Sequence, residues 1–315
     1  MFDPKALVDE QISKIGKQVT GKAIIACSGG VDSVVSAVIA AKAVGDRLLA
    51  VYVDTGLMRK GETEQVRGMM EDLKLNFKVL DAADEFFTAL KGVSDPEKKR
   101  KIIGEKFIRC FEREAKEYGA KYLVQGTIAP DVIESGSDGK GVVKSHHNVG
   151  GIPKDMDLEL VEPLIDLYKD EVRQVARLLG IKVSERQPFP GPGLSVRCLG
   201  EVTPENIAVV REACHIVEDE IQKASKDGKM EIPWQYFAAL LPVRSVGIHK
   251  GERVYGRTIV IRAVMSKDAM TAKCSNIPFD VLRTISERIT DEMGDRVNRV
   301  VYDVTDKPPA TIEWE

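Results

Sequence analysis

The sequence predicts an α/β fold, a parallel sheet with helices on both faces, followed by a smaller α+β domain. Three observations carry this. From Ala23 onward short apolar runs alternate with segments of helical period, the pattern of repeated βαβ units. Polar or glycine-bearing turns follow those runs at Ser28–Ser33, Asp54-Thr55-Gly56 and Gln125-Gly126-Thr127, and in parallel sheets ligands sit at the carboxyl ends of strands. The alternation then stops at Pro188-Phe189-Pro190-Gly191-Pro192-Gly193, a stiff stretch that reads as a boundary, so domains are expected at 1–188 and 189–315.

Taken in order, Ala23–Cys27, Leu48–Val53, Phe77–Leu80 and Tyr122–Val124 read as buried strands. Val31 to Ala43 is a largely apolar helix. Ser94-Asp95-Pro96 is a helix start, with Asp95 as cap and Pro96 in the first turn, and that helix runs to Tyr118 with Gly119 ending it. Its Lys98-Lys99-Arg100-Lys101 cluster, flanked by Glu97 and Glu105, reads as a solvated helix face rather than a nucleic-acid patch. Residues 135–155 lack periodicity and carry Gly136, Gly139, Gly141, Gly150 and Gly151, which suggests a long mobile loop, a lid or a disordered segment. Another helix is expected from Tyr168 to Leu179. Beyond the boundary, helices at Pro204–Lys226 and Phe279–Met293 accompany strand-like runs at Tyr236–Leu241, Thr258–Val264, Arg299–Val304 and Thr311–Trp314.

A chain of 315 residues is long enough for about two domains. Its net charge of −3, without basic stripes interleaved with aromatics, makes no case for nucleic acid. Five scattered cysteines, none spaced C-x-x-C, argue against a disulfide framework or a zinc site and fit a reducing cytoplasm. No run approaches the ~20 apolar residues of a membrane span.

The most informative stretch is Ser28-Gly29-Gly30-Val31-Asp32-Ser33, where a strand breaks on two glycines and restarts as a helix. The first-turn amides and positive dipole end of that helix face the same spot as the Ser28 and Ser33 hydroxyls, which outlines a phosphate site. A Walker loop would place a lysine on the phosphates here, and the sequence places an acid instead. Asp32 beside a polyphosphate is repulsive unless a divalent cation lies between them, so the motif predicts an Mg²⁺-nucleotide with hard oxygen ligands and makes Asp32 the candidate metal ligand. The bland alternative is a glycine turn whose serine and aspartate merely cap a helix. Lys144 in the glycine-rich loop could reach a phosphate, whereas the adjacent His146 and His147 make a poor metal pair. No nucleophile elbow or reactive-cysteine signature is present, which disfavours a covalent enzyme intermediate.

The hexapeptide resembles the PP-loop of the N-type ATP pyrophosphatases, a family with the adenine nucleotide alpha-hydrolase-like sheet. Further stretches resemble the synthetase subunits of GMP synthases: Val53-Asp54-Thr55-Gly56-Leu57-Met58-Arg59, Lys144-Ser145-His146-His147-Asn148, Leu241-Pro242-Val243-Arg244-Ser245-Val246-Gly247 and Lys307-Pro308-Pro309-Ala310-Thr311-Ile312-Glu313-Trp314-Glu315. The resemblance implies that xanthosine monophosphate (XMP) is adenylated by ATP with release of pyrophosphate, and that ammonia then displaces AMP to give GMP. It implies that Ser28, Gly29, Gly30, Val31, Asp32 and Ser33 hold the pyrophosphate and metal, that Val53 and Gly126 lie by the adenosine, and that Lys144 acts from the lid. It assigns Arg197, Gln235, Lys307, Ile312 and Glu313 to XMP. Members of full length open with a class I glutaminase domain, and this sequence opens at the synthetase part. A separate class I glutamine amidotransferase subunit is therefore the expected ammonia source, with homodimerisation through the C-terminal domain. Gln187 departs from the histidine of some relatives. Rival readings are an NAD synthetase, a tRNA thiolase, or an ATP-binding sensor without catalysis.

Overall fold

The computed structural model describes residues 2–135, 158–181, 187–267 and 269–315. They form two compact units: Met1–Thr55, Gly61–Ala82 and Gly104–Glu185 make the first, and Gly56–Lys60, Ala83–Ile103 and Arg186–Glu315 the second. Two segments well before residue 188 thus group with the second unit.

In the first unit, β1 (Ala23–Ala26), β2 (Leu48–Asp54), β3 (Phe77–Asp81), β4 (Tyr122–Val124) and β5 (Glu159–Val161) form a parallel sheet in the order β3-β2-β1-β4-β5. The winding runs outward from β1 to β3 and then restarts at β4 on the other side. At the switch point between β1 and β4, the place where sheets of this kind bind ligands, the loops after both strands meet, Gly126 lying against Asp32 and Ser33. β1 is buried at Ala23, Ile24 and Ile25, and so is most of α2 (Val31–Val44), which makes this the centre of the unit's core. Around it lie α1 (Pro4–Gln18), capped by the Asp3 carboxylate on the Lys5 and Ala6 amides, α3 (Glu62–Asp72) and α7 (Lys169–Leu178). In chain order α4 (Ala83–Leu90), which groups with the second unit, α5 (Pro96–Tyr118) and α6 (Ala129–Ser135) come before β5. β5 escapes the sequence reading because three residues at a sheet edge are too few to display a period.

In the second unit α8 (Pro204–Lys226) starts on the Thr203 hydroxyl, which accepts from the Asn206 amide, with Pro204 in the first turn. It packs on a sheet of β6 (Gln235–His249), β7 (Glu252–Met265) and β8 (Lys273–Cys274), antiparallel, with β9 (Val297–Tyr302) parallel to β7. α9 (Phe279–Met293) lies against α8. β6 and β7 are about twice as long as their apolar runs suggest, because their distal halves form an exposed hairpin with alternating burial.

The expected strand at Thr311–Trp314 is absent; the 303–315 segment is irregular apart from a bridge between Lys307 and Ala272. Ile312 points inward, while Thr311 and Trp314 on either side are exposed, and the run has no strand partner. Pro308 and Pro309 supply no ladder donors, and the Thr311 carbonyl is taken by the Arg262 guanidinium.

Candidate active site

β1 delivers the chain to the switch point at Cys27, whose amide donates to the Val51 carbonyl at 2.8 Å. Gly29 then turns in the left-handed region, φ 78°, and a Cβ there would sit 2.8 Å from Val66 Cγ2, so both conformation and space require glycine. Gly30 is the extended N-cap of α2 and carries no side-chain cap. Its amide donates to Ser28 Oγ at 3.3 Å, its carbonyl accepts from Ser33 Oγ at 2.9 Å, and the two hydroxyls lie 3.4 Å apart. Hydroxyls, glycine amides and the opening turn of α2 converge on one point, and Ser28 is exposed there.

Gly126, just past β4, abuts this turn from the other side of the switch point. A Cβ on it would meet Asp32 C at 2.9 Å, Asp32 O at 3.0 Å and Ser33 N at 3.0 Å. Val53, 3 % exposed, ends the buried run of β2 on the same edge of the sheet. Beside it Asp54 accepts from Thr63 Oγ1 at 2.7 Å. The predicted residues Ser28 to Ser33, Val53 and Gly126 are therefore brought to one edge. Lys144, His146 and His147 lie outside the described residues, as does nearly all of the expected 135–155 lid.

The reading along the chain missed Lys169. Its ammonium, at the start of α7, pairs with Asp32 Oδ2, while Asp32 Oδ1 is buried without a hydrogen-bond partner. The loop itself carries no lysine, and the cation beside Asp32 comes from a helix distant in sequence. A signal existed: a cation in the first turn opposes the helix dipole, so its presence there calls for a nearby anion.

In the second unit Arg197, Gln235 and Glu313 form one network. Glu313 accepts from Arg197 Nη2 at 2.7 Å and Nε at 3.1 Å, and from Gln235 Nε2 at 2.9 Å. Arg197 is fully buried between the Phe189 and Phe237 rings, 5.2 and 4.1 Å from their centroids. Burial opposes its charge, yet the Glu313 carboxylate outweighs this and holds the guanidinium above its ordinary range. Ile312 is buried beside the network in sequence, and Lys307 Nζ donates to the Ala269 carbonyl at 2.8 Å.

Two further cations fix the same segment. Arg262, wholly buried, donates to the Thr305 carbonyl at 2.5 Å and the Thr311 carbonyl at 3.1 Å. Lys99 is also wholly buried and donates to Cys198 O at 2.8 Å and Glu315 Oε2 at 2.5 Å. The solvated face expected for residues 98–101 thus holds for Lys98 and Lys101 but not for Lys99, which lies one turn before the buried Ile103 on the inward side of α5. Gln187 acquires a place too: its side chain donates to Glu218 at 2.9 Å and accepts from the Tyr236 amide at 2.7 Å.

Residues 5–125 match the NAD synthase family model and residues 219–314 match the GMP synthase C terminal domain model. A Methanopyrus kandleri protein, named as a subunit of glutamine-hydrolyzing GMP synthase, is 57 % identical, with all of both chains covered. Proteins of the same name from Methanocaldococcus jannaschii and Thermoplasma acidophilum are 56 % and 53 % identical, covering 100 % and 98 % of each chain. The chain belongs to this family of GMP synthase subunits. Within the family the NAD synthase match spans the Ser28–Ser33 loop and Val53, and the GMP synthase match spans Gln235, Lys307, Ile312 and Glu313. An NAD synthetase reading leaves the second match without explanation. Among the described residues no helix is long and apolar enough to cross a membrane.

Proposed function

We propose that the chain converts XMP to GMP in two steps. The O2 oxygen of XMP attacks the α-phosphate of ATP, forming adenylyl-XMP and releasing pyrophosphate. Ammonia then attacks C2, AMP leaves with the bonding pair, and one proton is lost. The observation that carries this reading is the cradle at the start of α2, a phosphate site without a Walker lysine, in a chain related end to end to subunits of GMP synthase.

The loop amides and the Ser28 and Ser33 hydroxyls grip the departing pyrophosphate, where preorganised donors act most strongly as negative charge develops. Lys169 balances Asp32 and the phosphates, and Lys144 adds a second cation. Asp32 Oδ1 suits a hard cation, since it is buried with no hydrogen-bond partner. No group of three or more His, Cys, Asp or Glu side chains able to hold a metal occurs among the described residues, so Mg²⁺ would be held by Asp32 together with phosphate oxygens. When bound, it supplies charge neutralisation at the leaving group. Val53 and Gly126 line the adenosine, while Gln235, Ile312 and Glu313 receive the purine and Lys307 the nucleotide phosphate. We assign residues 1–188 to ATP chemistry, and 189–315 to XMP and to pairing of two subunits.

That pairing uses the distal β6–β7 hairpin, where Val243, Val246, Ile248 and Tyr255 are 57, 44, 80 and 62 % exposed. A separate class I glutamine amidotransferase subunit supplies ammonia, and the complex works in the cytoplasm. The test is the purified chain with ATP, Mg²⁺ and XMP, assayed for pyrophosphate, AMP and GMP. Ammonium is expected to support GMP formation, and glutamine to do so only with the glutaminase subunit added. ADP as product, or pyrophosphate release indifferent to XMP, refutes the reading.

A further inference from the structure

We propose that Arg197 never touches the nucleotide and is instead the positioning residue that turns Glu313 into a one-site acceptor selective for a purine N–H. The inference rests on the reading of Glu313 as an XMP contact and assigns how that contact discriminates.

A carboxylate offers about four acceptor positions. At Glu313 three are filled: Oε1 accepts from Arg197 Nη2 and Gln235 Nε2, and Oε2 accepts from Arg197 Nε. One position on Oε2 is left. Because the guanidinium fork holds both oxygens, the carboxylate cannot rotate to offer a different edge. A base that presents N–H toward that position gains a charge-assisted hydrogen bond, whereas one that presents a carbonyl or a ring lone pair meets a fixed negative charge and loses its water.

Arg197 has no surface with which to reach a ligand. Its side chain is 0 % exposed, Phe189 and Phe237 cover its faces, and Cys214 lies beside it. Its remaining nitrogen, Nη1, is sealed from solvent. Lysine would keep the charge but hold only one oxygen, so it cannot reproduce the fork.

A double-mutant cycle separates acting through Glu313 from touching the nucleotide. XMP affinity is measured by calorimetry for the full chain, for Arg197→Lys, for Glu313→Ala and for the double variant, with KM for XMP and ATP alongside. Arg197→Lys is expected to weaken XMP about 10- to 100-fold, the scale of hydrogen bonds to a charged group. It should leave KM for ATP unchanged, and in the Glu313→Ala background it should add nothing. Losses that add, wild-type XMP affinity in Arg197→Lys, or a parallel rise in KM for ATP would each overturn the proposal. Wild-type affinity in Glu313→Ala would overturn the underlying reading of Glu313 and the proposal with it. If either variant fails to fold, Arg197→Gln and Glu313→Gln repeat the cycle with neutral groups of similar shape.

Discussion

Replacing Gly126 by alanine tests whether the switch point between β1 and β4 sets the catalytic geometry. The added methyl would lie 2.9 to 3.0 Å from the Asp32 carbonyl group and the Ser33 nitrogen. Comfortable carbon contacts begin near 3.5–4.0 Å, so the end of β4 and the first turn of α2 must part by roughly 0.5–1 Å. Every atom met is backbone, and no rotamer change can absorb the overlap. Overpacking of this kind costs about 1–3 kcal/mol of stability, or about 2–12 °C in melting temperature at about 2–4 °C per kcal/mol. The effect on rate is larger, because a displacement of about 1 Å in a positioning element costs on the order of 100-fold. Pyrophosphate release with saturating ATP and XMP, assayed well below the lowered melting temperature, should therefore fall about two orders of magnitude. Gly68→Ala is the control: nothing lies within 4 Å of its Cβ, and in the interior of α3 alanine should add up to about 1 kcal/mol without touching turnover. Wild-type turnover in Gly126→Ala would show that the abutting strand end does not set the loop.

Lys169→Met should lower kcat/KM for ATP by about 10²- to 10³-fold with little change in melting temperature, since the Lys169–Asp32 pair is partly exposed and such pairs contribute ~0–1 kcal/mol; steady-state pyrophosphate assays decide it. Lys99→Met strands the carboxylate of Glu315, itself only 8 % exposed, and should cost about 3–5 kcal/mol in urea unfolding, most of it recovered by adding Glu315→Leu. Burial pushes the Cys27 thiol up to about 12 and the Cys198 thiol up to about 11. Between the ordinary value of 9.0 and those values the unfolded chain loses thiol protons that the folded chain keeps, so stability is full below pH 9 and declines as pH rises. The unfolding free energy from urea titrations should fall by up to about 1.4 kcal/mol per pH unit for each thiol, and Cys27→Ala should flatten that slope; an unchanged slope would contradict the burial argument.

The α/β order, the break at Gly29-Gly30 and the start of α2 were all readable from consecutive residues, because backbone freedom and apolar period are local properties. The helix over Pro96–Tyr118 was equally legible, since its cap, its proline and its closing glycine lie within or beside it. The strand expected at Thr311–Trp314 did not form, since a short run of strand-forming residues carries no ladder partner of its own and the Thr311 carbonyl is taken by Arg262. Other assignments could not be completed from local residues. Lys169 reaches Asp32 across 137 positions and Lys99 reaches Glu315 across 216, and nothing within a few residues of either lysine names its partner. The sequence by itself determined where the glycine turn proposed to bind phosphate forms, because a turn is encoded by the residues that make it. Only the tertiary structure decided which cations stand behind Asp32, Glu313 and Glu315, because a charge pair needs proximity in space, and folding supplies that from opposite ends of the chain.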